Sequence, residues 1–160
     1  MKSTVKAGLV LGILVSAWTY IMGITGWYRD PKLLNLFWLV IVIQIGVLAW
    51  GLRMTAAEGR SYWGQVKAGT IISLIGGVMI FCGSYIFTSI VFPNYFTELR
   101  TLGEGVLKSQ GMSDAQIKTT LDAQAVMQTS FMQALFGFIG TAVTGPVVSM
   151  VHGLFLKKKK

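Results

Sequence analysis

Chemistry-bearing side chains are scarce in this sequence. It holds one cysteine, one histidine, three prolines and six acidic residues among 160. The lone Cys82 excludes an intrachain disulfide and a multi-cysteine metal site, and inside an apolar run it is expected to be buried as a small hydrophobe. The lone His152 excludes a histidine cluster built by one chain alone. Paired carboxylates and nucleophile–base pairs are missing as well. The glycines of TLGEGVLKSQG (101–111) follow no strand and lead into no Gly-Lys-Ser/Thr, so they form no phosphate loop. The chain is therefore read as a non-enzyme with no cofactor and no metal.

What is present is apolar. Hydrophobic residues make up 53% and charged residues 12%, outside the usual balance of a soluble domain. A formal charge of +8 would suggest nucleic acid in a soluble chain. Here the basic residues flank apolar runs, and membrane topology accounts for them without nucleic acid.

Four uncharged stretches have the length of about 20 residues or more that crosses a bilayer as a helix: residues 7–26, 33–52, 68–92 and 131–156. The RDPK segment (29–32) turns the chain between the first two, and Pro93 ends the third. Gly145 and Pro146 are expected to kink the fourth. Lys2, Lys6, Arg53, Arg60, Lys67 and Lys157 to Lys160 fall on one side with the single acid Glu58. Arg29, Lys32, Arg100, Lys108 and Lys118 share the other side with five acids. The basic excess predicts cytoplasmic N- and C-termini in a multi-pass protein of the bacterial inner membrane. Trp27, Tyr28 and Trp38 are expected at the outer interface, and Trp50, Tyr62 and Trp63 at the inner one, with internal packing as the alternative for each. A signal peptide cleaved after VSA (15–17) is a rival reading of the N-terminus, opposed by the apolar run that continues past it.

Between spans three and four lies a polar stretch, about 94–130. Tyr95, Leu99, Leu102 and Val106 recur at helical spacing. Gly111 is placed to end that helix in a left-handed cap, and Ser113 with Gln116 forms a capping box opening a second helix, stapled by Met112 and Ile117. Ile117, Leu121 and Ala125 form its stripe, and with no Pro or Gly from 112 to 136 it is expected to run unbroken into span four. The reading is all-α: residues 1–160 as a single membrane domain, an integral four-helix bundle with an extramembrane helical hairpin between spans three and four. So long a connection either serves contact with a partner, a second copy or the lipid surface, or is a passive connector.

Within the spans, small residues recur every fourth position: Gly8, Gly12 and Ser16; Gly69, Ser73 and Gly77; Thr141, Gly145, Ser149 and Gly153. Such stripes let helices approach closely in lipid, here within the bundle or in a homo-oligomer; the alternative is chance in a chain with 19 glycines. No Asp, Glu, Lys or Arg lies near a span centre, which argues against a proton-driven pump. Gln44, the most polar group at mid-depth, is expected to make an interhelical hydrogen bond. His152 is expected to be solvated near the interface. Lys157, Lys158, Lys159 and Lys160 are expected to draw anionic headgroups.

Taken together, EGRSYWGQVKAGTIISLIGG (58–77), FPNYFTELR (92–100), QGMSDAQI (110–117) and the lysine-ended last span resemble an uncharacterised bacterial four-span family, domain of unknown function 4199, common in Bacteroidetes and their relatives. The resemblance covers nearly the whole chain. It implies four membrane helices with a helical hairpin between the third and fourth, and it supplies no activity. The mild, glycine-rich EGVLKSQGM departs from the more charged hairpins of the family, so no charge-based partner recognition carries over. The functional expectation is a small membrane protein acting by association with itself or another membrane protein; the alternative is a subunit of an oligomeric channel or transporter.

Overall fold

The structure is a computed structural model describing residues 2–155. The described residues form six α-helices and no strand: α1 (Lys2–Ile24), α2 (Leu39–Ala57), α3 (Tyr62–Ile86), α4 (Tyr95–Ser109), α5 (Asp114–Ala125) and α6 (Ser130–Phe155). Four helical stretches are long and apolar enough to cross a membrane: Lys2–Ile24, Leu34–Ala57, Tyr62–Val91 and Ser130–Phe155. The protein is thus an all-α, multi-pass membrane protein.

The helices extend beyond the uncharged runs. Helix α1 takes in Lys2 and Lys6, whose stems can lie along an apolar helix while the ammonium reaches water, and it stops before Gly26, whose φ of 71° needs glycine's freedom. Helix α2 continues past Arg53 to Ala57. Helix α3 starts at Tyr62 because the Ser61 side chain accepts a hydrogen bond from the Gly64 N–H at 3.3 Å. Its last turn widens over Phe87–Val91, where the Phe92 N–H reaches back to the Phe87 carbonyl at 2.7 Å. Helix α6 is continuous through Pro146.

The second polar helix does not run into span four, contrary to expectation. Helix α5 ends at Ala125, and Val126 to Thr129 form a non-helical link. The Thr129 hydroxyl accepts from the Met132 N–H at 3.2 Å, starting α6 afresh. A side-chain cap ends the periodicity here without glycine or proline.

In cross-section the bundle is a ring in the order α1, α2, α6, α3. The seam between α3 and α6 is the most extensive, followed by α1 with α3, while α2 meets α6 along a thinner seam. Ala7, Leu11, Leu48 and Ile72 are fully buried at its centre. Large apolar side chains such as Val42, Val78, Val143 and Val147 point outward, as expected of helices solvated by lipid. Cys82 is also exposed on this outer surface. That corrects the expectation of burial: Gly76, Gly77, Ile80 and Gly83 carry the inward contacts of α3, and Cys82 lies on its other side.

Candidate functional site

Two polar constellations mark the two ends of the bundle. At the end bearing α4, Tyr28 is 2% exposed and packs against Phe92 and Tyr95, with ring centroids 6.3 and 5.0 Å apart. Its hydroxyl donates to Glu98 Oε2, and Arg29 forks onto the same carboxylate at 2.8 and 3.0 Å. Tyr28 is therefore a packing residue, the alternative weighed against a place at the outer interface; its partner lies 70 positions away in sequence. The hydrogen bonds from Arg29, and then Tyr28, hold the Glu98 carboxyl below the ordinary glutamate value. Burial, then the bond to Glu98, pushes the Tyr28 phenol up. Phe87, Phe92 and Tyr95 complete an aromatic cluster that seats the first turn of α4 on the bundle.

Beyond that seat, α4 and α5 pack chiefly on each other. Gly111 has φ 79°, the left-handed geometry that ends α4. The Ser113 N–H donates to Gln116 Oε1 at 3.0 Å, and the Gln116 N–H to Ser113 Oγ at 3.4 Å, closing the capping box. Ile117 and Leu121 are buried while Ala125 is exposed. Arg100 pairs with Asp122 across the two helices at 2.6 Å, and Lys108 with Glu104 along α4 at 2.8 Å. Between Pro31 and α4 runs a shallow groove of about 600 Å³, walled by Leu102 and Val106 with Arg29 and Glu98 at one end. A Cβ added at Gly105, in the groove, would meet nothing within 4 Å.

At the opposite end, Ser3 donates to Glu58, which also takes Arg60 at 2.9 Å, joining the N-terminus to the α2–α3 turn. Lys6 lies 5.9 Å over the Trp50 ring. His152 differs from expectation: its Nε2 is shielded from solvent and has no hydrogen-bond partner among the described residues. Lys157 to Lys160 lie outside the described residues.

The small-residue stripes face sister helices of the same chain. Atoms added at Gly8 and Gly12 would strike Ile75 and Met79 of α3. Gly69 and Gly145 face each other across the α3–α6 seam, where a Cβ at Gly145 would stand 2.7 Å from the Gly69 carbonyl oxygen and would also strike Ser73. Gly69 is opposed by Ser149, Gly77 by Phe138, Gly153 by Tyr62, and Ser16 by Gly83. Thr141 accepts a hydrogen bond from Gln44 Nε2 at 3.2 Å, the interhelical bond expected of Gln44. A second buried polar contact had no periodic signal: the Gln65 amide lies 2.6 Å from the Thr55 hydroxyl, tying α3 to α2. Its nearest sequence hint is a glutamine in an otherwise apolar, small-residue stretch.

Among the described residues no three His, Cys, Asp or Glu side chains come together as metal ligands would. No curated protein and no solved structure matches the chain. Residues 6–158, nearly its whole length, match the family described as "Protein of unknown function (DUF4199)", and the chain belongs to that family.

Proposed function

We propose that this protein acts by association in the bacterial inner membrane, with both termini cytoplasmic and the α4–α5 pair on the outer side. On this reading it performs no chemistry of its own. The observation that carries it is the division of surfaces. The small-residue stripes are spent on contacts within the chain, whereas the groove along α4 keeps Leu102 and Val106 accessible beside a glycine with free space around it. Such a groove suits an apolar segment of a membrane protein or of a second copy, docked beside the Arg29–Glu98 pair. At the other end Lys2 and Lys6, together with Lys157 to Lys160 in the sequence, would draw anionic headgroups.

The test is Gly105→Trp, which plugs the groove where the backbone has room. Wild type and variant are purified side by side from their native membrane. The reading expects partners or self-association in wild type to be lost from a variant that is otherwise folded; identical co-purification, or none in either case, refutes it.

A further inference from the structure

A cavity of about 630 Å³ opens along the thin α2–α6 seam, in the half of the bundle nearest α4. It lies beside the tighter α3–α6 seam. Glycine against serine lets α6 lie tightly on α3, whereas α6 and α2 meet along the thinner seam beside the cavity. The mouth carries the outward-pointing Phe37, Trp38, Ile41 and Phe136. In a membrane-spanning bundle the part of the mouth between α2 and α6 opens to the bilayer, while the lining also reaches Tyr95, Phe96 and Leu99 of α4 and Met127 and Gln128 of the link. The size and the mostly apolar wall fall in the range of small-molecule sites.

The polar groups of the wall have a direction. Thr19, Thr141 and Thr144 each donate their hydroxyl proton to a carbonyl four residues back, at 3.1, 2.8 and 2.7 Å. What they turn to the cavity is oxygen lone pairs. Gln44, only 7% exposed, spends an amide N–H on Thr141, and its Oε1 accepts no hydrogen bond among the described residues. Because the Thr141 proton is already committed to Gly137, Gln44 must approach it with nitrogen, which leaves the oxygen as the free end. These four groups thus turn acceptors to the cavity, while Ser84, Tyr95, Gln128 and Gln133, also in the lining, can donate as well as accept. Among the described residues, Lys, Arg, His, Asp and Glu are all missing from its lining. An acceptor kept from water and unpaired is costly, and an anionic headgroup would find no cation to meet it.

We propose that this cavity binds a neutral lipid alcohol: an apolar body carrying a hydroxyl donor and no charge, entering sideways between α2 and α6. The hydroxyl donates to Gln44 Oε1, and the body lies against Phe37, Trp38 and Phe136. Gln44 lies ten residues past Leu34, about 15 Å along the helix, so the hydroxyl sits well inside the hydrocarbon layer. The site is separate from the α4 groove and stands or falls without it.

The experiment uses monoolein as probe, with methyl oleate lacking the hydroxyls and oleate bearing a charge. Each is titrated into the full chain in detergent, with native mass spectrometry counting bound copies. The expected result is one saturable monoolein, with methyl oleate and oleate at least about tenfold weaker. A Cβ at Gly140, in the lining, meets nothing within 4 Å, so Gly140→Phe fills the cavity without disturbing the seam. It and Gln44→Leu should each weaken monoolein at least about tenfold. Gly46→Phe, also in open space on α2 but outside the lining, should leave binding unchanged. Undiminished binding to Gly140→Phe overturns the proposal, as does methyl oleate binding as well as monoolein. A wild-type dimer that Gly140→Phe splits would also overturn it, since the mouth would then be covered by a second copy.

Discussion

Glycine 145 illustrates how single atoms govern the bundle. In lipid the hydrophobic effect does not drive helices together, so close packing must do so, and one methyl group at a tight crossing is felt. Gly145→Ala is expected to destabilise the protein by about 1–3 kcal/mol, read as a lower thermal midpoint in detergent, while Gly140→Ala should change little because nothing lies within 4 Å. Adding Ser73→Gly should restore only part of the loss, since it removes the Ser73 clash but leaves the new methyl 2.7 Å from the Gly69 carbonyl oxygen. Glutamate 98 acts through charge. Its folded pKa is depressed by Arg29 and Tyr28, so its contribution is fully present above the ordinary value of 4.5 and is lost as pH falls below it, through the lower folded value. Hydrogen exchange at the start of α4, corrected for intrinsic rates, should therefore rise between about pH 6 and about pH 3. In Glu98→Gln it should be high already at the upper pH and change little.

At the scale of elements, helix ends explain what could be read in advance. Gly111, Ser113 and Gln116 act over a few residues of chain, so their chemistry is visible in the sequence and recurs in the structure. Ser113→Ala should cost α5 about 1 kcal/mol, measured as faster amide exchange confined to residues near 114–118. The link at Val126 to Thr129 was not legible by searching for glycine and proline, because a threonine hydroxyl makes the break. Its signal was Thr129 immediately before the apolar run, a cap residue in the expected place. Tyr28, Gln65 and the α2–α6 cavity were illegible for another reason. Their partners come from distant parts of the chain, and composition and periodicity say nothing about which helix faces which. The outward placement of Cys82 has the same origin, since its run is apolar on all sides and only packing decides which face turns inward.

For the molecule as a whole, hydropathy was enough to find four spans, because a bilayer of fixed thickness demands a fixed length of uncharged helix. The ring order that follows from their packing brings Ser3, Glu58 and Arg60 together at one end, and Tyr28, Arg29 and Glu98 at the other. We propose from the basic excess of the first end that it lies in the cytoplasm, which would direct α4 and α5 outward. The proposed headgroup contact at the termini, and the side of the membrane on which α4 and the cavity would lie, depend on that orientation. The most direct measurement places a cysteine at Ser109, at the end of α4, in a chain lacking Cys82, and treats intact cells with a membrane-impermeant thiol reagent. The account predicts labelling before lysis; labelling only after lysis would contradict it.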